Sequence, residues 1–495
     1  MNQFLAILTP PAIRLLGSAD AEQPRQARLF CDEYGVAFAY FYWPKPRPHF
    51  ECLPIKSRQF RQRLYSASRT TPMAMSASGL RQFVEDLELE AGAAKSTSLA
   101  NRVAMAGGDI FVDLGDDCWT MIRVTRDGYR LVRQRKPRFY RAKHQQPLPK
   151  PVQGGSPWEI FNYLAVNDEA DKLLVLTWIL AAFYPATPIP ILLAIGSPGS
   201  AKTTNCKRIR ILIDPSSVPV LDDPTNRDCL QIFYHHAVPC FENVGHFSRK
   251  RADMLCRAVT GSGVERRRLY SDTDAVIFAF RRPILLNGTD IPSTRPDFLD
   301  RCLILQGKRM ETFQSLKSLD AQYEQARPRL LGAILDLLVK TLALLGSTPS
   351  TGEFRMADFA HFGRAVAMAL GKTPADFDAA YRANLGEQSH ELVEDCPFAR
   401  AVKELAKVYC KDDPWEGNPT KMLTHAIAAA KKHKISTTGS AWPKSARWAS
   451  TRLTELTSVL RSERVIVERL SRKNDGRPWR IYSVEEANTA SPSGQ

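Results

Sequence analysis

Apolar and polar residues alternate with two different periods along this chain, and the changes of period divide it. Val36–Trp43 (VAFAYFYW) and Asp109–Asp113 (DIFVD) are β-branched and aromatic, and predict strands. Ser57–Tyr65 and Ser78–Ala91, between them, read as helices. A Pro- and Gly-rich stretch, Gln146–Pro157, reads as a linker and a domain boundary. A short helix, Trp158–Tyr163, and a longer one, Ala170–Phe183, then lead into an apolar run at Ile189. From there to about Leu305 strands and helices alternate, as a parallel α/β core requires. Pro328–Leu345 predicts a helix with Pro328 in its first turn, where a missing N–H is harmless. Leu330, Leu331, Ile334, Leu337, Leu338 and Leu342 share one broad face of it. Ala357–Leu370 and Pro374–Leu385 continue as helices.

The last unit begins near Pro397. Helices over Phe398–Tyr409, Pro419–Lys432 and Ser445–Leu460 precede strands Val465–Leu470 and Trp479–Val484. Three helices and a basic hairpin predict a winged helix-turn-helix.

The most informative stretch is Ile189–Thr204, IPILLAIGSPGSAKTT. An apolar strand stops at Gly196, and small residues lead to a Lys-Thr pair with the spacing G-x-x-x-x-A-K-T, a phosphate cradle between strand and helix. Gly196, Gly199, Ser200, Ala201 and Thr204 let backbone N–H groups close around phosphate at a helix N-terminus. Lys202 is placed to neutralise phosphate oxygens and the Thr203 hydroxyl to ligate Mg²⁺. Ala201 stands where the usual pattern has Gly.

Three further pieces could complete such a site. Ala237–Phe241 predicts a strand ending in Glu242–Asn243, where Glu242 is either a Mg²⁺ ligand or a surface residue after a short strand, and Pro239 argues against a central strand. Ile284–Leu286 ends in Asn287, either a contact for the γ-phosphate or its attacking water, or an Asn-Gly turn. Arg295 and Arg301 follow, and a guanidinium there could stabilise a transferring phosphoryl group across a subunit interface, Arg301 ahead of Arg295. Val264–Phe280 reads as a hairpin whose Arg266, Arg267 and Arg268 either meet nucleic-acid phosphates or form a solvated face.

Charge narrows the class of partner. The formal net charge is +16, and Pro397–Ser483 alone holds 18 Lys and Arg against 8 Asp and Glu. That concentration favours a polyanion, nucleic acid first. Lys444, Arg447, Arg452 and Arg461 lie on or beside the third helix, and Arg472, Lys473 and Arg477 lie in the wing, so helix residues would enter a groove and wing residues would meet phosphates. Ten scattered cysteines form no C-x-x-C pair, which argues for reduced thiols without zinc. His235 and His236 lie in an apolar stretch and read as structural, and Asp113, Asp116 and Asp117 read as a turn. No export signal is visible, and the longest apolar run, Leu173–Phe183, is too short to span a bilayer; the expectation is a cytoplasmic protein.

GSPGSAKTT, LIDP, CFENV, LCRAVTGSG, RRLYSDTD, RPILLNG and RPDFLDR follow one another in order between Gly196 and Arg301. Together they resemble the P-loop ATP-binding proteins of phages and mobile elements, relatives of primase-associated and superfamily 3-type (AAA+) helicases. That family tends to carry Ala before the lysine, as here. The resemblance, over roughly Arg28–Met368, implies an α/β fold: a P-loop NTPase (AAA+/RecA-like) core. It also implies Lys202 and Thr203 as ATP and Mg²⁺ contacts, Asn287 as polar sensor, and an arginine acting in trans within a homo-oligomer such as a hexameric ring. The family usually has Asp-Asn where this chain has Glu242–Asn243.

The expected layout is a mixed α+β N-terminal domain over 1–150, the ATPase core over 155–345, a helical segment over 346–395, the winged-helix-like domain over 396–485 and a disordered tail over 486–495. The expected activity is an ATP-dependent DNA helicase or translocase of phage or mobile-element replication. The alternative is a nucleotide-switched DNA-binding or scaffold protein that scarcely hydrolyses ATP. A small-molecule kinase leaves the basic C-terminal unit unexplained.

Overall fold

The computed structural model describes residues 28–43, 48–68, 76–133, 136–262, 264–267, 275–278, 280–308, 315–439, 442–472 and 477–484. The chain first builds an antiparallel sheet, β1 (Arg28–Cys31), β2 (Ala37–Trp43) and β3 (His49–Pro54), in that order. Alternation along β2 sends Ala37, Ala39 and Phe41 to one face, where they pack with Phe60 and Leu64 of α1 (Arg58–Ser68) and Val84 and Leu87 of α2 (Ala77–Ala93). Phe38 and Tyr40 take the other face.

A second antiparallel sheet follows: β4 (Val103–Ala106), β5 (Asp109–Asp113), β6 (Met121–Thr125) and β7 (Gly128–Val132). Its Ile110, Val112, Ile122 and Val124 share one buried cluster with the helices and strands that follow. A buried ion pair pins the same junction. Arg102 Nε donates to Asp214 Oδ1 at 3.0 Å with both side chains almost wholly buried, and its other nitrogens bond Asp113 O and Gln146 O.

The Pro- and Gly-rich stretch after β7 is clamped rather than slack. Val152 N–H donates to Pro328 O at 2.9 Å. A Cβ on Gly332 would lie 1.9 Å from Val152 O, so only glycine admits that approach. A 3-10 turn over Pro157–Asn162 leads to α3 (Glu169–Ala182), capped by Asp168 and buried at every residue from Leu173 to Ala182. A helix apolar all round belongs inside a core.

The centre is a five-stranded sheet. In chain order come β8 (Ile191–Gly196), α4 (Lys202–Ile213), β9 (Leu221–Asp222), α5 (Asn226–His235), β10 (Cys240–Glu242) and α6 (Arg249–Thr260). A separate two-stranded hairpin, β11 (Val264–Arg267) and β12 (Ala275–Phe278), intervenes, and β13 (Leu285–Asn287), α7 (Pro296–Leu299) and β14 (Cys302–Gly307) follow. The order is β14-β8-β13-β10-β9, with every neighbouring pair parallel. Residues of β8 alternate between two buried clusters, Leu192 and Ala194 in one and Ile191, Leu193 and Ile195 in the other, so both sheet faces are covered. β10 is internal to the sheet despite Pro239. The strand starts one residue later, and Pro239 enters the ladder only as an acceptor, its carbonyl taking Leu285 N–H at 3.0 Å.

The helix expected from Pro328 starts at Leu316 instead, so α8 (Leu316–Leu345) carries Pro328 in its interior. An interior proline costs about 3 kcal/mol. Packing of the preceding turns offsets it: Tyr323 is buried and its hydroxyl donates to Arg208 O at 2.6 Å, while Arg327 donates to Ile211 O. α9 (Ala357–Ala369) and α10 (Pro374–Asp395) follow, α10 running beyond the expected Leu385. Buried Asn384 clips α10 onto the sheet by bonding both N–H and O of Ile304.

The C-terminal unit has α11 (Pro397–Ala406), β15 (Trp415–Gly417), α12 (Pro419–Lys432), α13 (Ala446–Ser462), β16 (Val465–Arg469) and β17 (Trp479–Ser483). Its sheet is antiparallel in the order β15-β17-β16, one strand more than the hairpin expected. Its core is continuous with one face of the parallel sheet. Among the described residues no helix is long and apolar enough to cross a membrane. The expected tail, 486–495, lies outside the described residues.

Candidate functional site

The chain leaves β8 for the far edge of the sheet, then returns to both sides of β8 through β13 and β14. The strand order therefore switches direction at β8, and the carboxyl end of such a strand is where open α/β sheets bind ligands. The loop from Gly196 to Thr204 lies there. Gly196 (φ 137°), Gly199 (φ 84°) and Ala201 (φ 58°) all have positive φ, and Ala201 is the N-cap of α4. Such a conformation is unusual for a residue with a Cβ. Ser200 is buried and closes the loop by donating to Ser197 O at 2.8 Å.

Lys202 folds back into the loop, its Nζ donating to Gly196 O at 2.6 Å and Ser197 O at 2.8 Å. Partial burial lowers its pKa from the ordinary lysine value. Thr203, beside it, is exposed. The helix behind the loop is held firmly. Asn205 bonds both N–H and O of Ala165, and Arg208 bonds Tyr163 O and Asp320.

Strand register gathers the other candidates at the same edge. Asn287 pairs with Ala194 of β8, and Phe241 pairs with Leu286, which sets Glu242 beside Asn287. Asn243 adopts φ 52° and turns its N–H to Asn287 Oδ1 at 3.3 Å. Asn287 is 1% exposed, and its Nδ2 is buried without a hydrogen-bond partner, with the Cys206 thiol as a neighbour. Glu242 also pairs with Asp222 on the next strand, so two carboxylates sit on adjacent strands.

Two contributors escaped the sequence reading. Gly307, the last residue of β14, pairs with Gly196, and a Cβ there would lie 2.7 Å from Ser200 Oγ. A Cβ on Gly196 would meet Gly307 O at 2.4 Å. Nothing near Gly307 in the sequence marks this need, which comes from across the ladder. Asp222 ends a two-residue strand too short to carry a period.

Arg301 is not brought to this loop within the chain. Arg301 precedes Cys302, which pairs with Ile191 at the amino end of β8, roughly 16 Å from Gly196 at about 3.3 Å per residue. It pairs with Asp297 at 2.5 Å, and Asp297 also holds Arg355; Arg295 pairs with Asp253. The backbone of Arg266 and Arg267 lies in β11 as expected, while Arg268 lies outside the described residues.

In the C-terminal unit, Lys444, Arg447, Arg461, Arg472 and Arg477 are exposed, and Lys473 lies outside the described residues. Arg447 and Arg477 line a groove of about 700 Å³ with Asn418, Thr420, Thr451 and Arg469, between the start of α12, one face of α13 and the hairpin. Glu455 lines the same groove and holds Arg452 in an ion pair at 3.0 Å, while Arg452 itself does not line it and lies close to Cys396 Sγ.

No curated protein matches the chain. Among solved structures it is similar to the active helicase Cch of SCCmec type IV, at 10% identity over 93% of each chain with a TM-score of 0.46. It is also similar to the C-terminal region of NrS-1, at 10% identity over 97% of this chain and 99% of that one, with a TM-score of 0.40. A further likeness, to JCV helicase, has 15% identity over 47% of this chain and 72% of that one, with a TM-score of 0.23. At such scores no fold assignment follows. Family models are more direct: residues 159–391 match the actinomycete integrative conjugative element replication protein, and residues 398–493 match the C-terminal domain of its RepA. The two matched stretches follow one another along the chain, which is thereby similar to the replication proteins of actinomycete integrative conjugative elements.

Proposed function

We propose that this chain is a replication protein that works as an ATP-driven DNA helicase or translocase. The observation that carries the reading is the convergence at one edge of the sheet of the Gly196–Thr204 loop with Asn287 and Glu242 from the next two strand ends. The residues fit ATP and Mg²⁺. Gly196, Gly307 and Ser200 pack so closely that the loop is shaped by backbone rather than side chains. The buried Asn287 Nδ2 has the weakly accepting Cys206 sulfur beside it, and a γ-phosphate oxygen would be a stronger acceptor. Among the described residues no three His, Cys, Asp or Glu side chains gather to hold a metal alone, which suits Mg²⁺, since it takes one or two protein ligands and completes its shell with phosphate and water.

In this reading the loop N–H groups and Lys202 hold the phosphates, and Thr203 and Glu242 hold the metal. Bound ATP and Mg²⁺ supply the scissile phosphoanhydride and its charge neutralisation. Asn287, fixed by Asn243, positions the γ-phosphate or its attacking water. Arg301, remote from its own loop, serves a neighbouring subunit's site in a ring, with Arg295 as its second. The β11–β12 hairpin and the winged-helix-like C-terminal unit, with Arg447 and Arg477 at its groove, contact DNA.

Strand displacement on a forked duplex tests this directly. ATP-dependent separation, abolished in Glu242→Gln, supports the motor. ATP-dependent DNA affinity without separation or turnover would instead establish the nucleotide-switched binding protein.

A further inference from the structure

A cavity of about 260 Å³ lies in the amino-terminal region, walled by both antiparallel sheets and the segment that follows β7. Tyr40 and Phe50 form one wall, their rings stacked at 5.2 Å and 11°. Trp119 adds a third aromatic, and Arg133 and Arg138 add cations. The Arg138 guanidinium lies 4.6 Å from the Tyr40 ring centroid, and its Nε is buried without a hydrogen-bond partner. Asp113 also lines the cavity, but Arg141 engages both of its oxygens, at 2.6 and 2.8 Å. The same guanidinium lies 3.8 Å from the Trp119 ring.

Trp119 itself has φ 51°, rare for a bulky residue. Strain of this kind, about 1–3 kcal/mol, survives only where the surroundings enforce it, and it gathers at ligand sites. None of these groups takes part in the phosphate loop.

We propose that this cavity receives one unpaired nucleobase of a single strand, stacked on the aromatic wall, with the adjoining phosphate against Arg133 and Arg138. The volume lies below the ~300–1,000 Å³ of sites for drug-sized ligands, and suits one flat ring system. Aromatic faces beside arginines are the recurring chemistry of sequence-tolerant single-strand binding. The Arg138 guanidinium, held between the Phe30 and Tyr40 rings, lines the cavity with Arg133, so its cationic side suits a phosphate rather than an apolar protein side chain. The inference shares with the proposed function only the premise that this chain meets nucleic acid, and it stands without ATP turnover.

The test uses the full chain without ATP, reading the anisotropy of a labelled oligothymidylate and of a labelled duplex. Trp119→Ala and Arg138→Met should each weaken single-strand binding roughly tenfold, the size of one lost stacked base, and leave duplex binding unchanged. Trp119→Phe should restore most of the affinity. A second measurement needs no variant: an oligonucleotide carrying 5-iododeoxyuridine, irradiated on the wild-type chain, should crosslink to peptides containing Tyr40, Phe50 or Trp119. Unchanged affinity in folded variants, or crosslinks wholly elsewhere, would overturn the proposal. Displacement of the strand by free thymidine monophosphate at equal affinity would reassign the cavity to mononucleotides and also overturn it. Repeating the titration in Lys202→Ala separates the two readings, because loss of the phosphate loop leaves this cavity intact.

Discussion

Gly307→Ala is a small change with a large expected effect on nucleotide binding. The added methyl carbon would lie 2.7 Å from Ser200 Oγ, 2.9 Å from Ser200 Cβ and 3.0 Å from Ser200 O. Carbon contacts settle near ~3.5–4.0 Å, so either β14 or the loop must move by roughly 0.5–1 Å. Ser200 cannot swing aside, since it is 1% exposed and bonded to Ser197 O. β14 is held along its whole length by β8 and clipped by Asn384. The loop is therefore the softer partner. Overpacking of this kind costs about 1–3 kcal/mol, and if the strain is relieved by distorting the cradle, ATP affinity should fall roughly 5- to 150-fold. Titration with a fluorescent ATP analogue measures this, with a thermal melt alongside. Gly346→Ala is the control, because a Cβ there meets nothing within 4 Å and its φ is −71°. Affinity within about twofold of wild type in folded Gly307→Ala would refute the reasoning.

Three other outcomes follow from the same geometry. Arg102→Met should destabilise the chain by about 3–5 kcal/mol, since it strands a buried Asp214, and the loss should show as a lowered midpoint in urea. His236 is buried and its Nδ1 lies 2.6 Å from Arg210 Nη2; burial, then that neighbouring charge, lower its pKa from 6.5 to about 3. The unfolded chain thus takes up this proton first, so its stabilisation is present above pH 6.5 and is lost as pH falls towards 3, at up to about 1.4 kcal/mol per pH unit. His236→Asn should flatten the slope of melting temperature between pH 7 and 5, and an unchanged slope would assign it to other groups. Arg301→Ala and Lys202→Ala, each inactive alone, should regain part of the DNA-stimulated ATP turnover when mixed, if Arg301 serves a neighbour's loop; no recovery in a proven mixed oligomer would remove it from that role.

The phosphate loop, Glu242 and Asn287 were legible because each ends a short apolar run, a local signal. What placed them together was strand register, which no local pattern encodes. Gly307 shows the limit: a glycine after CLILQ is ordinary until Ser200 is found against it. Arg102 reads as one more surface cation in a basic chain, yet its partner, 112 residues away, draws it into the core. The early start of α8 was hidden because LKSLDAQYEQAR is mostly polar, and its helical face is defined by Tyr323 and Arg327 reaching α4. β6 and β7 were missed because MIRVT and GYRLV each place an arginine in a short strand, where one solvated face breaks the apolar run. The doubt over Pro239 failed for a different reason: a proline just ahead of a strand removes no ladder donor.

The most direct test of the central claim is ATP turnover by the purified full chain, with and without single-stranded DNA, and with Lys202→Ala as the blank. The account predicts turnover that rises with DNA and vanishes in the variant. Tight ATP binding with no turnover in either condition, or turnover that survives Lys202→Ala, would contradict it.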